Sequence, residues 1–159
     1  MAVTYEPIAT YTIPSAQSSY TFSVVPGTYT DLVLVFAGTL SASGGWAIRV
    51  NGDTAGNYSN TTMYGDGTTA ASNRSASDTS MGLGYTTTSQ SVTTINLMNY
   101  ANTTTFKTAL ARNSAASADV DARVGMWRNT AAITSVTALT YSGNFASGST
   151  FTLYGIKAA

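Results

Sequence analysis

Asp119-Val-Asp-Ala-Arg-Val-Gly-Met126 alternates polar and apolar side chains along almost its whole length. A period of two sends successive side chains to opposite faces of a pleated strand. The stretch therefore predicts a half-buried strand, with Val120, Ala122, Val124 and Met126 turned to the core and Asp119, Asp121 and Arg123 turned to water. It is the clearest strand signal in the chain.

The neighbouring segments carry the same signature in weaker form. Upstream, Val92–Asn99 and Thr105–Arg112 flank Tyr100-Ala-Asn-Thr-Thr104 and predict an antiparallel pair, with Ile95 and Leu97 on one face and Phe106 and Leu110 on a face of the partner. Downstream, Ile133, Val136 and Leu139 fit a helical spacing, but the threonines of Ile133–Tyr141 favour a strand, and Phe151–Ile156 is the last one. Toward the N-terminus, Ile8–Ile13 and Tyr20–Val25 are strands, the second with Tyr20, Phe22 and Val24 on one face and Pro26-Gly27 ending it. Leu32-Val-Leu-Val-Phe36 is apolar on both faces and predicts a central strand covered on each side, or one spanning an interface. Trp46–Val50 places Trp46, Ile48 and Val50 opposite Arg49, and Asn51-Gly52 after it is a turn signal. From Asp66 to Ser80 the chain is small and polar and reads as an exposed loop.

Eight or nine strands in 159 residues, with no linker and no internal repeat, predict a single all-β domain over residues 1–159: an antiparallel β-sandwich, jelly-roll-like. Composition agrees, because 28 threonines, 19 serines and 17 aromatic residues suit a pleated surface better than a helix.

Composition also removes function classes. Lys and Arg (7) balance Asp and Glu (7), and charged residues make up 9% of the chain against about 25% ordinarily, which excludes a basic phosphate-tracking surface for nucleic acid. There is no His and no Cys, so imidazole and thiolate metal sites, disulfides and Ser-His or Cys-His nucleophile pairs are excluded. The start, Met1-Ala-Val-Thr-Tyr-Glu6, has no basic and apolar leader, and no run reaches the ~18 apolar residues of a membrane helix; a soluble chain made in a cytoplasm, without membrane insertion, is expected.

The remaining chemistry is sparse. Asp119 and Asp121 share a strand face about 7 Å apart by strand rise, near the separation of inverting glycosidases, but nothing supplies the apolar pocket that would raise one carboxyl, so a solvated face with Asp121 near Arg123 is expected. Asn51-Gly-Asp53-Thr-Ala-Gly56-Asn57 has the oxygen-rich look of a calcium loop, yet Ala55 stands at the third ligand position and no closing Glu follows, which favours a turn. Gly82-Leu-Gly84 lacks the third glycine of a dinucleotide site and reads as a strand end. The Asn-x-Ser/Thr triplets at Asn57, Asn60, Asn73 and Asn102 follow from the abundance of Ser and Thr. Trp46 and Trp127 favour burial or a subunit contact, whereas Tyr58, Tyr64 and Tyr85 are candidates for exposed sugar-stacking rings. No catalytic, cofactor-binding or metal-binding residue is assigned, and no cofactor is expected.

Three blocks carry a resemblance. Ile95-Asn-Leu-Met-Asn-Tyr100-Ala-Asn-Thr-Thr-Thr-Phe-Lys107-Thr, Gly125-Met-Trp-Arg-Asn-Thr-Ala-Ala-Ile133-Thr-Ser-Val and Asn144-Phe-Ala-Ser-Gly-Ser-Thr-Phe151-Thr-Leu-Tyr-Gly-Ile156-Lys, with Pro26-Gly27-Thr-Tyr-Thr-Asp31 ahead of them, resemble a family of tailed-bacteriophage structural proteins over essentially the whole chain, least across residues 66–90. The resemblance implies a non-enzymatic virion component, a β-sandwich met either as a head-surface protein or as a module of tail and fibre proteins. With no fibre shaft in this sequence, the expectation is a capsid decoration or cement protein at the head surface. Its expected partners are the major capsid protein and further copies of itself, as a homo-oligomer suited to three-fold positions. A fibre module recognising a host-surface glycan is the alternative.

Overall fold

The computed structural model describes residues 4–115 and 120–157. Twelve strands run through them: β1 Tyr5–Thr12, β2 Ser19–Phe22, β3 Asp31–Gly38, β4 Gly44–Val50, β5 Tyr58–Gly65, β6 Ala70–Asp78, β7 Met81–Thr86, β8 Ser91–Met98, β9 Lys107–Ala115, β10 Val120–Trp127, β11 Val136–Thr140 and β12 Thr150–Ile156. Among the described residues no helix is long and apolar enough to cross a membrane.

An eight-stranded sheet has the order β1-β12-β3-β8-β9-β10-β5-β6, and a four-stranded sheet has the order β2-β11-β4-β7. Every pairing within them is antiparallel. The expected antiparallel β-sandwich is therefore the fold. Its plan becomes plain when two hairpins, β5-β6 and β9-β10, are set aside. Eight strands then remain as two sheets of four, β1-β12-β3-β8 against β2-β11-β4-β7, which is the double-sheet arrangement of a jelly roll. Both hairpins add to the same edge of the first sheet; β9 and β10 still pack against β7 of the second, and β6 forms the outermost edge.

Between the sheets lies an aromatic core. Phe36, Trp46, Phe145 and Phe151 are fully buried, with ring centroids 4.9 to 5.9 Å apart in tilted or edge-on pairs. Leu32 and Leu34 of β3 join them from the inner face; on the outer face Val33 is buried but Val35 is half-buried and Ala37 exposed, so the expected cover on both sides is not there, because the sandwich has only two layers. Burial of each such side chain contributes roughly 1.5–3 kcal/mol. Trp46 dictates the sequence of its neighbour: a Cβ at Gly84 would sit 2.0 Å from the indole Nε1, so only glycine fits beneath that ring. Gly82-Leu-Gly84 is thus the middle of β7 and not a strand end.

The structure corrects several expected faces and elements. Residues 66–80 are not a loop; after a turn they form β6, which gains the backbone hydrogen bonds of a ladder with β5 while its small polar side chains stay largely exposed at the sheet edge. β2 ends at Phe22, and Val24 stands 79% exposed because the chain has left the sheet. On β9 the core face carries Ala109 and Ala111, opposite Leu97 and Ile95, whereas Leu110 and the preceding Phe106 are exposed. The stretch 133–141 resolves as the short strand β11.

The largest correction falls on β10. Val120 is 68% exposed and Val124 49%, while Asp121 is 4% exposed and Gly125 and Trp127 are buried. The strand is turned over relative to its pattern. Trp127 anchors that choice, since its ring stacks on Tyr58 at 6.4 Å and its Nε1 donates to Asp53 Oδ2 at 2.7 Å. With Trp127 inward, the period of two carries Gly125, Arg123 and Asp121 to the same side.

Candidate functional site

The two hairpins present two different surfaces, one on each face of the extended sheet. On the outer face, Val124 of β10 lies across from Leu110 of β9, and Ala122 lies across from Met63 of β5. Val120 continues this patch toward the strand end; Val92 and Met98 of β8 stand on the same face, and all but Ala122 are exposed. Arg112 pairs with Ala122 inside the patch, and Arg74 of β6 pairs with Thr61 at its margin. Among the described residues of β5, β6, β9 and β10, both carboxylates, Asp78 and Asp121, point to the other face. Asp31 of β3 lies with Arg112, Leu110 and Met98 at one margin, so the outer surface is apolar with charges of both signs around it.

β7, the last strand of the smaller sheet, covers β10 at Gly125, and the part of the inner face of β10, β5 and β6 that it leaves open forms the floor of a polar groove of about 450 Å³. Arg123, Asn60, Thr62, Tyr64, Asn73, Ser75 and Asp78 come from the floor, and Ser80, Gly82 and Tyr141 from the wall. Alternation alone explains the first six. Asp78 needs a further device, because Asn73 and Ser75 already set the inward parity of β6. An extra residue is inserted at Ser77, whose φ is +60°, so that Ala76 pairs with Ser59 and Asp78 with Tyr58. This β-bulge shifts the parity by one and turns Asp78 into the groove. There Asp78 Oδ1 accepts from Ser75 Oγ at 2.8 Å and Oδ2 from Asn60 Nδ2 at 3.2 Å. Gly82 keeps the wall open, since a Cβ there would lie 3.1 Å from the Tyr141 hydroxyl.

Arg123 is held from behind. Its Nε donates to Asp121 Oδ1 at 3.0 Å and its Nη2 to Asp121 Oδ2 at 2.7 Å, while Asn113 Nδ2 reaches Asp121 at 3.5 Å and Thr93 donates to Asn113. A buried polar chain thus crosses β8, β9 and β10 and ends at a guanidinium that is 14% exposed at the groove. On the rim, the Tyr141 hydroxyl shares a hydrogen bond with Ser80 at 3.3 Å. Its pKa is raised, first by burial of the hydroxyl end and then by Asp78, with Arg123 and Arg49 acting in the opposite sense.

The other residues singled out by the sequence take structural places. Asp119 lies outside the described residues, and Asp121, expected in solvent, is buried in its ion pair. Asp53 spends both oxygens on Ala55 N, Asn57 Nδ2 and Trp127 Nε1, which makes 51–57 a capped turn. Asn51, with φ of +53°, and Gly52, with φ of +66°, supply the turn's left-handed residues. Tyr58 is not an exposed ring; it is fully buried, its hydroxyl bonded to Val50 and Asp53, and burial pushes its pKa up to about 12. Tyr64 lines the groove, and Tyr85 is half-buried. Asn60 and Asn73, which the sequence marks only as chance triplets, are groove residues. Asp78 and Tyr141 were missed, and the period-two pattern of Asn73-Arg-Ser75 was the one signal that could have drawn attention to β6.

No protein-family model matches this sequence, and no curated protein matches it. Among solved structures, one that is similar is a mutant alginate lyase in complex with alginate tetrasaccharide, at 9% identity and a TM-score of 0.33, over 94% of this chain and 80% of that chain. A likeness so distant carries no conclusion about chemistry, and the assignment of this chain to the antiparallel β-sandwiches rests on its own strand pairing.

Proposed function

We propose that this chain is a non-enzymatic structural protein of a tailed-bacteriophage virion, a decoration or cement protein that docks on the head through the outer face of β8, β9, β10 and β5. The observation that supports this reading is the turned-over β10, which places Val120 and Val124 beside Leu110 and Met63 in water. A contiguous exposed apolar group of this kind on the outer face of a sheet is the mark of an intermolecular contact. Arg112, Arg74 and Asp31 stand around it, so the surface it fits is an apolar patch of a capsid subunit with a polar rim. Docking of many copies would stabilise the shell by mass action, because each bound copy favours the assembled state. Zero net charge removes repulsion between neighbouring copies and suits the expected trimer.

Copy number in purified virions tests the reading: hundreds per particle support decoration. Absence from mature particles overturns it, as does a monomer that turns over a substrate. A few to a few tens of copies would instead support the second reading, a fibre module for host-surface glycans, which the polar groove favours.

A further inference from the structure

The geometry points to the groove of β10, β5 and β6 as a binding site for a neutral, hydroxyl-rich saccharide, held by Arg123, Asn60, Asn73 and Asp78 and flanked by Tyr64 and Tyr141. The inference concerns the ligand class of this groove and stands wherever in a virion the chain is placed.

Its volume, about 450 Å³, lies in the range of small-molecule sites, roughly 300–1,000 Å³. More telling is the construction. Apolar side chains of similar volume often replace a buried ion pair without loss of stability, and what the Thr93–Asn113–Asp121–Arg123 chain supplies that they would not is one fixed guanidinium orientation. The bulge at Ser77 places a non-glycine residue at positive φ, and its effect is to bring Asp78 to the same surface. Gly82 leaves that surface open where a methyl group would press on Tyr141.

Charge selects the ligand. Among the hydrogen bonds of Arg123, those from Nε and Nη2 go to Asp121, which cancels its charge and leaves the rest of the fork as a neutralised donor. Asp78 adds a carboxylate with no cation bonded to it among the described residues. Arg49, whose Nε donates to Thr79 O at the end of the groove, balances that carboxylate, so the site is already neutral and a uronate, sulfate or phosphate would bring in a charge that nothing there offsets. A sugar hydroxyl suits every group present: it donates to Asp78 and to the Asn60 and Asn73 carbonyls, and accepts from Arg123 and the asparagine amides. Tyr64 and Tyr141 supply aromatic surface for the apolar face of a ring.

The test is an array carrying neutral glucan, mannan and galactan oligosaccharides alongside polygalacturonate and alginate, probed with the intact protein, Asn73→Ala and Asp78→Asn. The expected result is retention of at least one neutral class by the wild type, with affinity reduced at least tenfold in both variants at unchanged melting temperature. A variant that melts early is replaced by Tyr141→Ala on the rim, read in the same way. Failure of the wild type to retain any neutral fragment overturns the proposal; so do variants that bind as the wild type does, and so does preference for a polyuronate. Particle docking is scored separately by copy number, so a negative array leaves the docking reading standing.

Discussion

Arg123 and Asp121 stand two residues apart on the inner face of β10 and close on each other through two parallel hydrogen bonds of 3.0 and 2.7 Å. The pair is nearly dry, with Asp121 fully enclosed. Loss of one partner leaves the other as an uncompensated buried charge. Asp121→Ala is therefore expected to lower stability by about 3 kcal/mol in urea denaturation. The double replacement Asp121→Leu with Arg123→Met should return within about 1 kcal/mol of wild type and still fail to bind sugar. A double variant as unstable as the single one would show that the pair itself holds the sheet together.

Gly84→Ala tests the packing beneath Trp46. The added methyl carbon would stand 2.0 Å from Nε1, and the indole is hemmed in by Phe36, Phe145 and Phe151. Overpacking of this kind costs about 1–3 kcal/mol or more, and the tryptophan emission should shift with it. Unchanged stability and emission would mean that β7 can move away from the ring.

On the outer face the expectation is reversed. Val124→Lys replaces an exposed side chain and should alter stability by less than about 0.5 kcal/mol, whereas Leu34→Ala in the core should cost about 2–5 kcal/mol. Mixed with particles lacking the protein, the Val124→Lys variant should no longer co-sediment with them. Co-sedimentation equal to wild type would remove this face from the contact.

Asp53 gives a pH dependence. Hydrogen bonds from Asn57, Trp127 and Ala55 hold its carboxyl below the ordinary value of 3.8. The folded state thus prefers the ionised form more than the unfolded chain does. Its contribution is complete above about pH 4 and is lost as the pH falls through the lowered value. Acid titration should quench or shift Trp127 fluorescence in that window. Asp53→Asn should flatten the response and cost about 1–2 kcal/mol at neutral pH, because the site is only partly buried. An acid response identical in wild type and variant would assign it to another carboxylate.

Much of the fold was legible in the chain. Leu32–Phe36, Trp46–Val50, Ile95 with Leu97 and Phe151–Ile156 declare themselves through alternation, and each is a strand of the jelly roll. The groove was not legible. Asn60, Asn73 and Asp78 lie in segments whose small polar residues carry little periodic contrast, and Asp78 depends on a bulge that no spacing announces.

By itself the sequence determined that the chain is all β and that imidazole and thiol chemistry are absent. Which way β10 faces was decided only by tertiary structure. A period of two looks the same from both sides of a sheet, and a one-residue reversal exchanges the two faces completely. The stacking of Trp127 on Tyr58 broke that symmetry, and β7, the edge of the smaller sheet, covers β10 at Gly125 but leaves the surface around Arg123, Asn60 and Asn73 open. Those two facts put Arg123 in a groove and Val124 in water.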